Sequence, residues 1–441
     1  MQQYEIDWID YIVDKAYKFY NNRKIVIWGS YTGSENIGRK LKEKYQIDIA
    51  FFVDSDVTKI DNRSVYPTDY LLGKASEYYV IIPLGVYSSI KNLLHKGGYK
   101  EDLDYYYFSD CIVRQENDYY EDRHGNKIIG NYQGLKFVFS GFGSIVKIGS
   151  NVKFLNTSFY IHNNSQITIG DENKISDTTF YFGDNSKSEF GENIRILKTY
   201  LCMENSAHIS LASNTCLMED SIHLFQEAGC RVGCKCHFQY MSLHIGEQAQ
   251  AAIGKEETIN GSRENRAVWS TLYRSMLEIA GYGKFEYGTL HLQKNASLVI
   301  GQHFTIERNY NIHADTDTLI KIGDDCMFSS DILLRSNDGH AVFDIISGEN
   351  INSSSCIRKN RKLVIGNHVW VAMRSAVMYG AKLEDSSIIG PMSMVKSEIP
   401  NNCMAEGVPA KIIRRNVTWN IEECSEDISE CMQEYIQLTQ E

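Results

Sequence analysis

The sequence predicts a mainly β chain, most of it a stack of three-sided coils in parallel register. Three observations predict this. Ile148, Ile169, Phe190, Leu211, Val232 and Ile253 stand at a constant interval of 21 residues, five of them followed by glycine and Leu211 by Ala212. A repeat of that length means stacked units, because one coil cannot bury its apolar face alone and its neighbours must cover it. Within the steps runs a beat of six, as in Ile148, Phe154, Tyr160 or Phe190, Ile196, Cys202. It continues without a slip through Ile365, Val371, Val377, Leu383, Ile389 and Val395. Four residues after the first five of these come Val369, Ser375, Ala381, Ser387 and Ser393, mostly small. A flat strand alternates faces with period two. An aliphatic residue at every sixth position, with a small one four later, needs a bend in each hexad. Three bent strands then close a triangular coil with the aliphatic residues inside. Coils of 21 residues exceed three hexads by three, which places extra residues at a corner such as Asn163-Asn164-Ser165.

Before the coils the pattern differs. Ile9, Ile12, Val13, Ala16 and Tyr20 have helical spacing, so the chain opens with an amphipathic helix. Lys24-Ile25-Val26-Ile27-Trp28-Gly29 reads as a buried strand entering a glycine turn, with a polar helix through Ile37–Tyr45. A second strand, Ile47–Val53, ends at Asp54; a third, Tyr78–Leu84, precedes a helix over Val86–Lys96. Strand and helix alternating in this way predict a parallel sheet, so residues 1–115 form an α/β domain. The polar segment 116–140 reads as a linker and the coils as 141–415. Two interruptions break them. Over about 255–290, Trp269, Leu272, Tyr273, Met276, Leu277 and Ala280 predict a helical insertion; over about 335–362 a loop leaves the stack. Residues 416–441, rich in Glu and Asp, read as an acidic helix.

The composition excludes some functions. At 441 residues with 23% charged and 43% hydrophobic residues, the chain has the make-up of a soluble two-domain protein. A net charge of −11 argues against a nucleic-acid face, though not against an anionic cofactor held by a local basic cluster. The first residues carry no basic and apolar leader, and no run of about 18 apolar residues occurs, so a cytoplasmic protein without a transmembrane segment is expected. Eleven cysteines in this length make no disulfide framework. Cys230, Cys234, Cys236 and His237 lack a second ligand pair, so no metal is expected; Cys236 and Cys326 occupy the small-residue slot of the hexad, as buried thiols would.

Loops on a rigid scaffold carry function more often than the scaffold does, which directs attention to 335–362. It contains Asp338-Gly339-His340 and Ser347-Gly348-Glu349-Asn350-Ile351-Asn352, followed by Ile365-Gly366-Asn367-His368-Val369-Trp370 and Gly407-Val408-Pro409-Ala410-Lys411. Over roughly 295–419 the chain resembles the hexapeptide-repeat acetyltransferases that O-acetylate sugars and bacterial polysaccharides. Their sequences run D-x-H, TG-x-x-IN, IG-x-x-VW and G-x-PAK in this order. The resemblance implies a left-handed parallel β-helix, acetyl-CoA as donor, and a homotrimer with clefts between subunits. It implies His340 as general base, a role that histidine's near-neutral titration suits, with Asp338 or Asp344 fixing its tautomer. It also implies that Trp370, Asn352 and Asp344 face the acceptor, and that the pantetheine arm runs past Gly390 and Ser393. Lys396, Lys411 and Arg414, with Arg374, Arg415 and the run Arg358–Lys362, are the cations available for coenzyme A phosphates. Gly390-Pro391-Met392-Ser393 departs from the family's GAGS turn, and proline removes a donor there.

An alternative for His340 is an interior position, since it lies six after Leu334. Trp370, adjacent to the inward Val371, should point outward. The turn Gly29-Ser30-Tyr31-Thr32-Gly33, with Asp54 ending the next strand, resembles a Rossmann-like nucleotide turn without its full glycine pattern; it reads as a structural or docking element, with a site for a nucleotide or nucleotide sugar as the alternative. The expected function is O-acetyl transfer from acetyl-CoA to a capsular or other surface polysaccharide, favouring a polymeric acceptor because a long coil gives a long groove. The competing readings are N-acetylation of a nucleotide-linked amino sugar and a non-catalytic scaffold.

Overall fold

The computed structural model describes the chain apart from residues 1–2, 30–31, 55–64, 84–87, 102, 108–110, 114–117, 123, 133–134, 338–339, 352–361, 423–426, 429 and 439–441. It divides into two units, Met1–Ile112 with Phe139–Gly141, and Val113–Val138 with Phe142–Glu441. No helix among the described residues is long and apolar enough to cross a membrane.

The smaller unit opens with the helix Gln3–Phe19, whose Ile12, Val13 and Ala16 are fully buried. Its sheet has five strands in the order Val65–Tyr66, Ile49–Val53, Lys24–Trp28, Tyr78–Ile82, Tyr105–Tyr107, all parallel. One face packs Ile25, Ile27 and Ile81 against that helix; the other buries Val26, Val80 and Leu94. Coverage on both faces explains why these strands are continuous apolar runs. The strand order is that of a Rossmann-like half. The second helix, Thr32–Tyr45, begins five residues before the expected Ile37.

In the larger unit, each coil contributes one strand to each of three sheets, of 14, 13 and 13 strands. One coil supplies Ile145–Ile148, Lys153–Leu155 and Thr157–Ile161 to the first, second and third sides. The ladder pairs Ile148 with Ile169, then Phe190, Leu211, Val232 and Ile253, so the 21-residue interval is the register itself. All six residues of the C-terminal hexad series are buried, as are Val369, Ser375, Ala381, Ser387 and Ser393 at the corners. Inside, Phe137, Phe159 and Phe180 stack at 4.9 and 4.6 Å between centroids.

Each corner needs a left-handed residue, and it is mostly not glycine. Asn151, Asn156 and Asn164 serve one coil and Glu172, Asp177 and Asn185 the next, all with φ between 47° and 60°. Asn and Asp tolerate this conformation better than most residues. The glycine after the inward aliphatic residue answers a different demand, close approach between coils. A Cβ on Gly170 would lie 2.6 Å from the carbonyl oxygen of Gly191.

The structure corrects four expectations. The segment 255–290 is not a helix but the strands Ala267–Thr271, Met276–Gly281 and Lys284–Phe285 of an enlarged coil. Trp269 and Leu277 point inward, while Leu272 and Met276 are exposed. Helical spacing there was incidental; pairing Ile253 with Ile279 requires a 26-residue coil. Arg266 fastens the excess, donating to the carbonyls of Glu219 and Met241 and to the Ser242 hydroxyl. The beat of six slips on the third side, where Phe159 and Ile161 are inside and Tyr160 faces out. The segment 116–140 is not a linker, because Lys127–Ile129 pairs in parallel with the first full coil and Tyr119–Glu121 caps it antiparallel. Among the described residues of 416–441, helix is confined to Glu430–Gln433.

Glu257 lies four residues after Ile253, in a corner slot that the neighbouring coils fill with uncharged residues such as Thr215, Cys236 and Gly283. Its side chain is fully buried, with one oxygen accepting the Gly283 N–H at 3.0 Å and the other without a partner. Burial pushes this carboxyl up from 4.5 to about 7. A proton held more tightly in the folded chain favours folding at low pH, so this contribution is lost as pH rises from 4.5 through about 7. Over that window the loss is about 3 kcal/mol. Glu257→Gln is therefore expected to gain stability relative to the parent as pH rises from 5 to 8 in urea melts. A pH-independent difference would show that the carboxyl stays ionised.

Candidate functional site

The loop of interest leaves the strand Leu333–Arg335 on the third side and returns at Lys362–Ile365 on the first. It emerges at the corner between those two sides. Ser336 anchors its start: the hydroxyl is buried, accepts the Asp315 N–H at 2.8 Å and bonds the Thr318 hydroxyl at 2.7 Å. His340 then projects with its side chain exposed, so it is not an interior rung. Asp338 and Asn352 lie outside the described residues.

Beyond His340 the chain doubles back, with Phe343 bridging Asn350 and Ile351 N–H reaching the Val342 carbonyl. Asp344 closes this turn. Its carboxylate accepts the N–H groups of Ile346 and Ser347 at 2.9 and 2.7 Å. The Ser347 hydrogen bonds hold it below its usual range. Both bonds fall on Oδ1, so this oxygen of Asp344 shapes the loop. At the tip Ile345 and Ile346 are each 98% exposed.

Trp370 stands on the second side, the side opposite the corner from which the loop emerges. The outward direction expected for it holds, but the indole is half-buried: Trp419 lies 6.2 Å away, and the indole N–H is buried without a partner among the described residues. Trp419 is brought there by His368. The two rings stack at 4.3 Å, the Trp419 indole donates to the His368 carbonyl at 2.7 Å, and Tyr435 covers the other imidazole face at 5.3 Å. Nothing in the spacing announced this cover.

Of the expected cofactor contacts, Lys396, Lys411 and Arg414 are exposed on the last coils. Gly390 and Ser393 are different. Their N–H groups bond the Ala405 carbonyl and the Ser375 hydroxyl, and the Ser393 hydroxyl accepts the Gly407 N–H at 3.0 Å. Both are buried corner residues, already paired within the stack. The thiols of Cys236 and Cys326 bond carbonyls of the next coil, at 3.0 Å to Gly254 and 3.1 Å to Gly366. Burial pushes the Cys236 thiol up to about 11, so neither cysteine is a poised nucleophile.

Comparison with known proteins finds similarity to O-acetyltransferases. The chain is 35% identical over 156 residues to a polysialic acid O-acetyltransferase of Escherichia coli O1:K1, covering 35% of this chain and 48% of that protein. It is 28% identical over 149 residues to the galactoside O-acetyltransferase of Escherichia coli K12, covering 33% and 66% respectively. The chain thus spans about half to two-thirds of the length of these curated relatives. A solved structure of the polySia-specific acetyltransferase NeuO aligns with 57% of this chain and 94% of its own, at 21% identity and a TM-score of 0.32. No family model matches. This chain is a parallel β-solenoid protein whose relatives are hexapeptide-type O-acetyltransferases.

Proposed function

We propose that the chain transfers an acetyl group from acetyl-CoA to a hydroxyl of a bacterial surface polysaccharide, with His340 as general base. The observation that carries this reading is the exposed imidazole on a loop anchored at Ser336, in a chain whose relatives are O-acetyltransferases. Acetyl-CoA supplies the thioester. The exposed cations Lys396, Lys411 and Arg414 suit its phosphates. His340 takes the proton of the acceptor hydroxyl as the new C–O bond forms, and returns it to the sulfur as the C–S bond breaks. Asp338, two residues before His340 in the sequence, and Asn352, twelve after it, remain the proposed orienting and acceptor-binding residues.

Trp370 and the loop corner face away from each other within one coil, which supports a cleft shared between copies. The bare Ile345-Ile346 tip supports the same arrangement, because apolar surface this exposed calls for a partner. A homotrimer is our reading. Ile345→Asp together with Ile346→Asp is expected to lower the mass in sedimentation and to reduce transfer with it. An unchanged trimer with unchanged turnover would put the tip outside the interface.

The Rossmann-like strand order supports a nucleotide or nucleotide sugar at the smaller unit, where the order reverses beside Lys24–Trp28. Such cosubstrates accord with a cytoplasmic location. That order also favours the second reading, N-acetylation of a nucleotide-linked amino sugar. Release of free thiol from acetyl-CoA, followed against purified surface polysaccharides and against nucleotide amino sugars, decides between them. Release with neither acceptor class would leave a scaffold.

A further inference from the structure

Where the beat of six slips, the third side of the solenoid acquires an outward row that repeats in register. It includes Tyr160, Tyr181, His223, His244, His291 and His313, connected through the intervening coils by the ladder. Neighbouring rings stand close: Tyr160 and Tyr181 at 4.7 Å and 9° from parallel, His223 and His244 at 6.3 Å, His291 and His313 at 5.0 Å. The tyrosine pair is stacked, whereas the two histidine pairs are inclined at 53° and 62°. Two residues earlier on each strand runs a companion row rich in hydroxyls, including Ser158, Thr179, Ser221, Ser242 and Thr289. Burial lowers the titration of His244 and His291, which favours neutral imidazoles; His291 is bonded to the Ser270 hydroxyl at 2.6 Å and the Gln293 amide at 3.0 Å, so the row presents neutral polar edges. Such edges match hydroxyl groups better than they match phosphates.

At its far end the row reaches Arg335, the residue from which the His340 loop departs. There His313 Nε2 lies 3.5 Å from Asp315 Oδ1, beside Arg335 in the next coil.

We propose that this outward row is a binding track for an extended, hydroxyl-rich glycan chain, leading along the solenoid to the loop that carries His340. Coils repeat at about 4.8 Å, close to the advance of a sugar chain per residue, so successive coils meet successive sugars. This gives the early coils, which have no catalytic loop, a task. A second copy of the chain is the competing occupant. Large apolar side chains are few on these two rows, whereas subunit cores are apolar. The track deepens the acetyl-transfer reading by naming the acceptor as polymeric, but its binding can be measured without turnover.

The test uses the full chain carrying His340→Ala, titrated with a panel of purified bacterial capsular and O-antigen polysaccharides and with short fragments of each. At least one polysaccharide should bind, and more tightly than its fragments. Adding Tyr181→Ala and His244→Ala should weaken that binding about tenfold, the loss of two or three hydrogen bonds. His244→Gln, which retains a polar side chain of similar length, guards against misfolding and should cost less. Glu189→Ala on the first side should change nothing. Equal affinity for polymer and fragments, full binding by the double variant, or no binding on the panel would overturn the track. So would a double variant that falls apart into monomers, which would make the row a subunit interface. Glycan binding without thiol release by the parent enzyme would instead remove the acetyl-transfer reading and leave the track standing.

Discussion

Replacing His340 with alanine is expected to lower acetyl transfer about a hundredfold to ten-thousandfold, the usual contribution of a positioned general base. Thiol release and acetyl incorporation should fall together, because one proton transfer serves both bond changes. The fold should not respond. The side chain is exposed on a loop outside the ladder, and surface substitutions of this kind usually shift stability by no more than about 0.5 kcal/mol. Circular dichroism and the urea midpoint should therefore match those of the parent. Wild-type turnover in this variant would eliminate His340 as the base. Lost turnover with a lowered midpoint would mean that the loop had been damaged rather than its chemistry removed.

The second large effect concerns the enlarged coil. Trp269 is fully buried, packs edge-to-face against Phe285 at 5.0 Å, and donates its indole N–H to the Tyr310 hydroxyl at 2.8 Å. Tyr310 is itself fully buried two coils further on. Trp269→Ala removes a core aromatic, costing about 3–5 kcal/mol. The deserted Tyr310 hydroxyl adds part of about 1–3 kcal/mol, the penalty for an unsatisfied buried group. Trp269→Phe separates these contributions by keeping most of the packing and losing only the hydrogen bond. Urea unfolding should rank the parent above the Phe variant and the Phe variant above the Ala variant. A Trp269→Ala protein as stable as the parent would put Trp269 outside the core, as the helical reading had it.

The contrast between Trp269 and His340 shows which parts of the chain were legible. His340 was singled out as the candidate base because a motif of fixed order surrounds it and because it lies in an interruption of an otherwise regular beat. Trp269 was assigned to a helix because its neighbours happened to fall three and four apart, and local spacing carries no information about the coil stacked above. Asp344 and Ser393 were chosen for their motif positions. The structure engages one oxygen of Asp344 in an Asx-type turn and the N–H and hydroxyl of Ser393 at a corner. Tyr160 and Cys202 fitted the beat of six and were counted as interior, yet the extra corner residues turn them outward. That same displacement creates the row of tyrosines and histidines on the third side.

By itself the sequence determined the stacking, because a hydrophobic residue at a constant interval can be buried only by its own repeat one coil away. It likewise determined the parallel α/β unit, whose uninterrupted apolar strands require cover on both faces, and the loop that bears His340. Tertiary structure alone decided which side chain of each strand faces out, how 26 residues become one coil, and that Trp419 lies over Trp370. Those outcomes depend on contacts between residues far apart in the chain, where packing overrides local pattern.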